Sequence, residues 1–188
     1  MDEILEFRNA RSWQTWLAKN HARSPGVWLR LAKKASGLQS VTYAEALDVA
    51  LCHGWIDGQK KPLDELAWLQ RFTPRGPRSI WSSRNKRRAL ELIRAGLMKA
   101  PGLAAVKAAR AAGSWSKAYA SYGTARVPPD FAAALKANPA AREFFSALDG
   151  RNRYAILFRL HNASKPETRR KRLDKFLAML ALQQKIHP

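Results

Sequence analysis

The chain has 188 residues, 46% of them hydrophobic, with seven Trp and seven Phe; that much apolar material excludes a disordered chain and suits one compact domain or a domain with a helical appendage. Lys and Arg number 34 against 14 Asp and Glu, and the net charge of +20 opposes compaction and attracts polyanions, although an Arg- and Ala-rich codon bias would give the same excess. The lone Cys52 excludes an intramolecular disulfide and fits a small buried hydrophobe. No window approaches the roughly 18 apolar residues of a membrane span. The opening M-D-E-I-L-E is acidic where a secretion signal is cationic and then apolar, so a soluble cytoplasmic protein with no transmembrane segment is expected.

In chain order, Ile4 to Arg8 reads as a short strand. Trp13, Trp16 and Leu17 stand at i, i+3 and i+4, which predicts a helix to about His21 with Ser12 or Asn9 as cap. Ser24-Pro25-Gly26 is a turn, and the alternation from Val27 to Ala32 is a strand. Thr42 and Glu45 form a capping-box pattern before a helix that Gly54 ends. Trp55–Lys61 and Ala67–Thr73 pair as an antiparallel hairpin, with Trp68, Gln70 and Phe72 on one face. Ser82 or Ser83 caps a helix whose apolar stripe is Leu90, Ile93 and Leu97. Pro101 opens another helix that ends near Gly113.

Ser114 to Val127 is an irregular connector, and Pro128-Pro129 marks a boundary. Beyond it the pattern is helical: Phe131–Asn138, Ala140–Leu148, Arg153–Asn162, and a last helix capped by Ser164 and Glu167 with Leu173, Phe176, Leu177 and Leu180 inward. The expected fold is α+β: an antiparallel sheet with helices on one face over residues 1–122, a linker at 123–129, and an all-helical module over 130–188.

Three segments mix residue types that a plain core does not need. His53-Gly54-Trp55-Ile56-Asp57 joins a helix end to a strand; exposed helix carbonyls favour an imidazolium at His53, and Asp57 is near enough to accept a hydrogen bond from it. The same residues also serve as a C-cap and a turn. Neither a metal site nor a nucleophile elbow is spelled out, so no metal, cofactor or catalytic residue is expected. From Arg71 to Arg94 there are eight basic residues and one acidic. Here Arg71, Arg75, Arg78, Arg84 and Asn85, with the N–H groups of the helix start, suit phosphate or carboxylate oxygens, and Trp81 suits stacking on a base or sugar. Lys165, Arg169 and Arg172 share one face of the last helix and form a secondary basic face.

The chain resembles the YdeI/OmpD-associated (bacteriocin-protection) proteins. The matching segments are V-W-L-R-L-A-K-K from Val27, T-Y-A-E-A-L-D from Thr42, H-G-W-I-D-G-Q from His53, R-F-T-P-R from Arg71, W-S-S-R-N from Trp81, G-L-M-K-A-P-G from Gly96, N-R-Y-A-I-L-F-R from Asn152 and K-P-E-T-R-R-K-R from Lys165. The resemblance implies a YjbR/CyaY-like, frataxin-related N-terminal architecture followed by a helical OmpD-associated module. It also implies a role in resistance to bacteriocins or antimicrobial peptides. Frataxin-type iron binding uses an acidic helix ridge, whereas the first helix here carries Trp and Arg. A +20 protein repels cationic peptides, so any protection would be indirect.

Three functions follow. The first is a non-enzymatic cytoplasmic stress or resistance protein that binds an anionic partner (nucleic acid, a phosphorylated small molecule or an acidic protein). The second is a nucleic-acid-binding module. The third is a small-anion-binding protein or enzyme with a pocket at His53, Asp57 and Arg71. The sequence leaves the oligomeric state open.

Overall fold

Four strand patterns in the first 75 residues build one sheet, and helices cover one of its faces. The computed structural model describes residues 3–77 and 79–188. The chain divides into two compact units, Met1–Ala118 and Tyr119–Pro188. The fold class is α+β, with the sheet in the first unit and an all-helical second unit.

In the first unit the order is β1 (Glu3–Leu5), α1 (Ala10–Asn20), β2 (Val27–Ala32), a 3-10 turn (Lys34–Ser36), α2 (Tyr43–Cys52), β3 (Trp55–Pro62), β4 (Ala67–Pro74), α3 (Ser83–Arg94) and α4 (Ala100–Ala111). The strands lie in the order β1-β2-β4-β3. β1 runs parallel to β2, so the sheet is mixed rather than wholly antiparallel, and β1 is shorter than the 4–8 strand the sequence pattern predicts. β2, β4 and β3 are antiparallel. Asn9 caps α1 through a bond from the Ser12 amide. The Thr42/Glu45 box closes reciprocally at α2, and the bonds from Thr42 hold the Glu45 carboxyl below its usual value.

The core is aromatic. Trp13, Trp55 and Phe72 are buried, with ring centroids 6.2 Å (Trp13–Trp55) and 5.9 Å (Trp13–Phe72) apart, and Trp16 stacks on Trp13 at 5.4 Å. Such pairs add about 0.5–1.5 kcal/mol each beyond the burial itself. The indole of Trp13 donates to the Ala46 carbonyl and that of Trp55 to the His21 carbonyl, which ties α1, α2 and β3 together. One residue of β3 is extra between Asp57 and Lys60. The buried Gln70 amide donates to the carbonyls of Gly58, Gln59 and Arg71 at 3.0–3.2 Å, so the bulge leaves these carbonyls bonded.

Two glycines set the junction beneath the candidate site. Gly54 has φ +73°, the left-handed geometry that ends α2 and turns the chain into β3. Gly102 brings α4 onto the end of α2: a Cβ there would stand less than 2.5 Å from the Cys52 carbonyl oxygen. On α3 the fully buried residues are Asn85, Ala89 and Leu92; of the predicted stripe, Leu90 and Ile93 pack half-buried against the same core and Leu97 does not. Leu97 lies past the helix end and is 54% exposed.

The second unit holds α5 (Pro129–Ala137), α6 (Pro139–Ala147), α7 (Gly150–His161) and α8 (Pro166–Ala181). Each of α5, α6 and α8 begins at a proline, whose missing N–H costs nothing in the first turn. Phe131, Phe145, Ile156, Leu160, Phe176 and Leu180 form the core. The unit starts at Tyr119 because Tyr119 packs edge-on against Phe158 and Tyr122 lies against Tyr154. The expected Ser164 cap is replaced by Lys165, which makes no side-chain cap bond.

Candidate functional site

Two helices end side by side, each on a histidine. His21 is the C-cap of α1 and His53 the C-cap of α2, and their ring centroids are 6.0 Å apart. The Nδ1 of His21 lies 3.0 Å from the Leu17 carbonyl, and that of His53 lies 3.0 Å from the Val49 carbonyl. A carbonyl only accepts, so Nδ1 carries the proton in both rings. A ring in its neutral form then leaves Nε2 as a bare lone pair, and among the described residues neither Nε2 has a protein partner.

Both histidines line a cleft of about 410 Å³, together with Trp55, Arg75, Ser79, Trp81 and an alanine face of α4 (Ala104, Ala105, Ala108 and Ala109). No Asp or Glu is among its lining residues. His53 is 5% exposed. Burial pushes its pKa below the usual imidazole value, with the charges of His21 and Lys99 acting in the same direction; the bond to the Val49 carbonyl opposes this. Burial thus works against the imidazolium expected at the helix end and outweighs the pull of the helix carbonyls.

Asp57 does not pair with His53. It accepts from the Tyr43 hydroxyl at 2.7 Å and from the Asn85 amide at 3.2 Å, and so joins β3, α2 and α3 behind the cleft. Trp81 is 2% exposed, with the Arg75 guanidinium 3.4 Å from its ring centroid and Trp115 edge-on at 4.8 Å. It is packed as core and does not offer a stacking platform for a base. Arg75 also donates to the Ile80 carbonyl.

Arg71 pairs with Trp28 across the sheet, on the face opposite Phe72, and does not line the cleft. Arg84 is exposed on α3, beside Arg87 and the Arg88–Asp48 ion pair. Arg78 lies outside the described residues. Of the candidate residues, then, His53, Trp55, Arg75 and Trp81 converge on the cleft.

The secondary basic face is partly committed. Arg169 forks onto the Asp130 carboxylate and donates to the Leu160 carbonyl, and Arg172 donates to the Arg159 carbonyl. Lys165 is exposed.

The sequence reading missed His21, Ser79 and the alanine face. One signal was available for His21: like His53, it follows the last apolar turn of its helix and sits four residues after a helical Leu or Val. The chemistry open to the cleft is recognition of an oxyanion by Arg75 and by imidazoles that gain an Nε2 proton in acid. Cys52, next to His53 in sequence, is buried; burial and the nearby Asp48 charge push its thiol up to about 11, which leaves it unreactive. Among the described residues no group of three His, Cys, Asp or Glu side chains is placed to hold a metal ion. No helix among them is long and apolar enough to cross a membrane.

Residues 5–105, more than half of the chain, match the family model described as Domain of unknown function (DUF8412). The chain belongs to this DUF8412 family. Residues 124–183 match a second model, Bacteriocin-protection, YdeI or OmpD-Associated, so the helical unit is a YdeI/OmpD-associated domain. The DUF8412 match takes in α1, α2, strands β2 to β4 and most of the cleft, and it does not carry the YjbR/CyaY-like assignment expected for the N-terminal part. No curated protein and no solved structure matches the chain.

Proposed function

We propose that the protein is a non-enzymatic binding protein for a small oxyanion, held in the cleft of the DUF8412 unit. The observation that carries this reading is the pairing of His21 and His53 with Arg75 in one concave site that no carboxylate lines. Protonation of His53 adds a donor and a charge, so affinity rises as that imidazole gains its second proton. A partner bearing such a group, a phosphorylated small molecule foremost, would link the cleft to the resistance or stress role implied by the YdeI/OmpD-associated domain, in the cytoplasm.

Isothermal titration with inorganic phosphate at pH 5.5 and pH 8 tests this. Saturable binding that is tighter at pH 5.5 although phosphate itself loses charge there is expected, and a His21→Ala/His53→Ala variant should no longer bind more tightly in acid. Equal affinity in variant and parent would contradict the reading.

Nucleic acid is the second reading. The exposed Arg84 and Arg87 on α3 and the charge of +20 favour it. With Trp81 buried, it would rest on phosphate contacts alone and fall steeply with salt.

A further inference from the structure

The first unit carries a second, larger concavity of about 1060 Å³. Its floor is one cross-strand row. Leu31 of β2 is paired with Trp68 of β4, and Trp68 with Pro62 of β3, so the three side chains share a face of the sheet. The first turn of α2 (Thr42, Tyr43 and Ala44) and the loop at 33–40 line the sides. Trp68 is half-buried, and Leu38 on the loop is 42% exposed.

Three ammonium groups stand around this apolar floor. Lys33, Lys34 and Lys60 all line the groove, and no Asp or Glu does. The Lys60 Nζ is 4.3 Å from the centroid of the Trp68 ring, and the Lys33 Nζ donates to the Asp64 carbonyl. The charge of Lys33 is balanced in part by the nearby Asp64 carboxylate, whereas among the described residues Lys34 and Lys60 have no carboxylate partner. An apolar trough with the unpaired cations of Lys34 and Lys60 on its rim complements a molecule that has an apolar body and an anionic end.

We propose that this groove binds a single-chain anionic amphiphile, its tail along Leu31, Trp68 and Leu38 and its oxyanion head between Lys34 and Lys60. The concave shape takes such molecules one at a time out of water, whereas a bilayer needs apolar side chains that protrude. A nucleic-acid strand would leave the apolar floor without a matching surface. The site is separate from the imidazole cleft and shares no lining residue with it.

Isothermal titration of the full chain with decanoate, kept below its micelle concentration, tests the proposal. One decanoate per chain is expected, with butyrate (the same charge, almost no tail) and decanol (a similar tail, no charge) at least tenfold weaker. Ala44→Trp, from an exposed position on α2, fills the groove and lowers decanoate affinity at least tenfold with the circular dichroism unchanged. Leu38→Gln, a mild change on the loop, acts in the same direction if Ala44→Trp fails to fold. Lys34→Gln/Lys60→Gln brings decanoate down to the level of decanol, and His21→Ala/His53→Ala leaves decanoate binding intact. Decanoate binding unaffected by both groove variants, or butyrate binding as tightly as decanoate, would overturn the proposal.

Discussion

Each unit hides a polar side chain at a turn of its fold, and the two are used differently. In the helical unit Asn152 is fully spent. Its carbonyl accepts from the Ile186 and His187 amides at 3.0 and 2.9 Å, and its amide donates to Asp149 and to the His187 carbonyl. In the sheet unit His53 is half spent: Nδ1 is bonded and Nε2 is not. A buried polar group with every valence used is architecture, since leaving it unmade is what costs energy. A buried polar group with one side open onto a cleft is a place for something else to bind.

The largest test of this contrast is Asn152→Ala. It strands two backbone amides at the C-terminal end and is expected to cost about 1–3 kcal/mol. Urea unfolding measures it; a loss under about 0.5 kcal/mol would mean that Asn152 is no more essential than a surface residue.

Gly102→Ala comes next. On helix propensity alone this change in α4 stabilises by up to about 1 kcal/mol. The Cβ would collide with the Cys52 carbonyl, however, and overpacking costs about 1–3 kcal/mol, so a net loss is expected. A stabilised variant would show that α4 does not press on the end of α2, and the cleft would lose its floor.

The smallest effect is expected for Arg169→Leu. Its fork with Asp130 is partly exposed, so about 0.2–1 kcal/mol is at stake. The bonds from Arg169 hold the Asp130 carboxyl below its usual value. That stability is present above the unfolded carboxyl pKa and is lost as pH falls through the lower folded one. The variant should therefore lose less stability in acid than the parent, with phosphate affinity unchanged.

Local rules made much of the sheet unit readable in advance. The Thr42/Glu45 box, the Gly54 stop, the β2 alternation and the β3–β4 hairpin all rest on neighbours within a few residues. The β3 bulge was not readable, because the Gln70 that bonds it lies on the other strand. The stripe on α3 was found only in part, for a related reason: Leu90 and Ile93 do pack against the core, but they flank its centre. The most deeply buried line carries Asn85 and Ala89, a polar and a small residue, which hydrophobicity alone does not single out.

The site divides in the same way. His53 and Arg75 could be singled out by residue type, and both line the cleft. That Trp81 is packed under Arg75 and beside Trp115, that Asp57 turns to Tyr43 and Asn85, and that His21 joins His53 all depend on how α1, α2 and β3 pack.

His53 also gives a pH signature. Its pKa is lowered from about 6.5 by burial, so the unfolded chain binds more protons between the two values. Stability is then full above pH 6.5 and falls as pH drops toward the folded pKa, and phosphate should restore part of it. His53→Phe should flatten this segment of the melting profile.

The most direct measurement is the nitrogen NMR spectrum of the imidazoles at pH 8 and pH 5.5, with and without phosphate. The account predicts Nδ1–H tautomers for His21 and His53 at pH 8, and for His53 an Nε2 protonation that moves to higher pH when phosphate is added. Nε2–H tautomers at pH 8, or titrations that ignore phosphate, would contradict it.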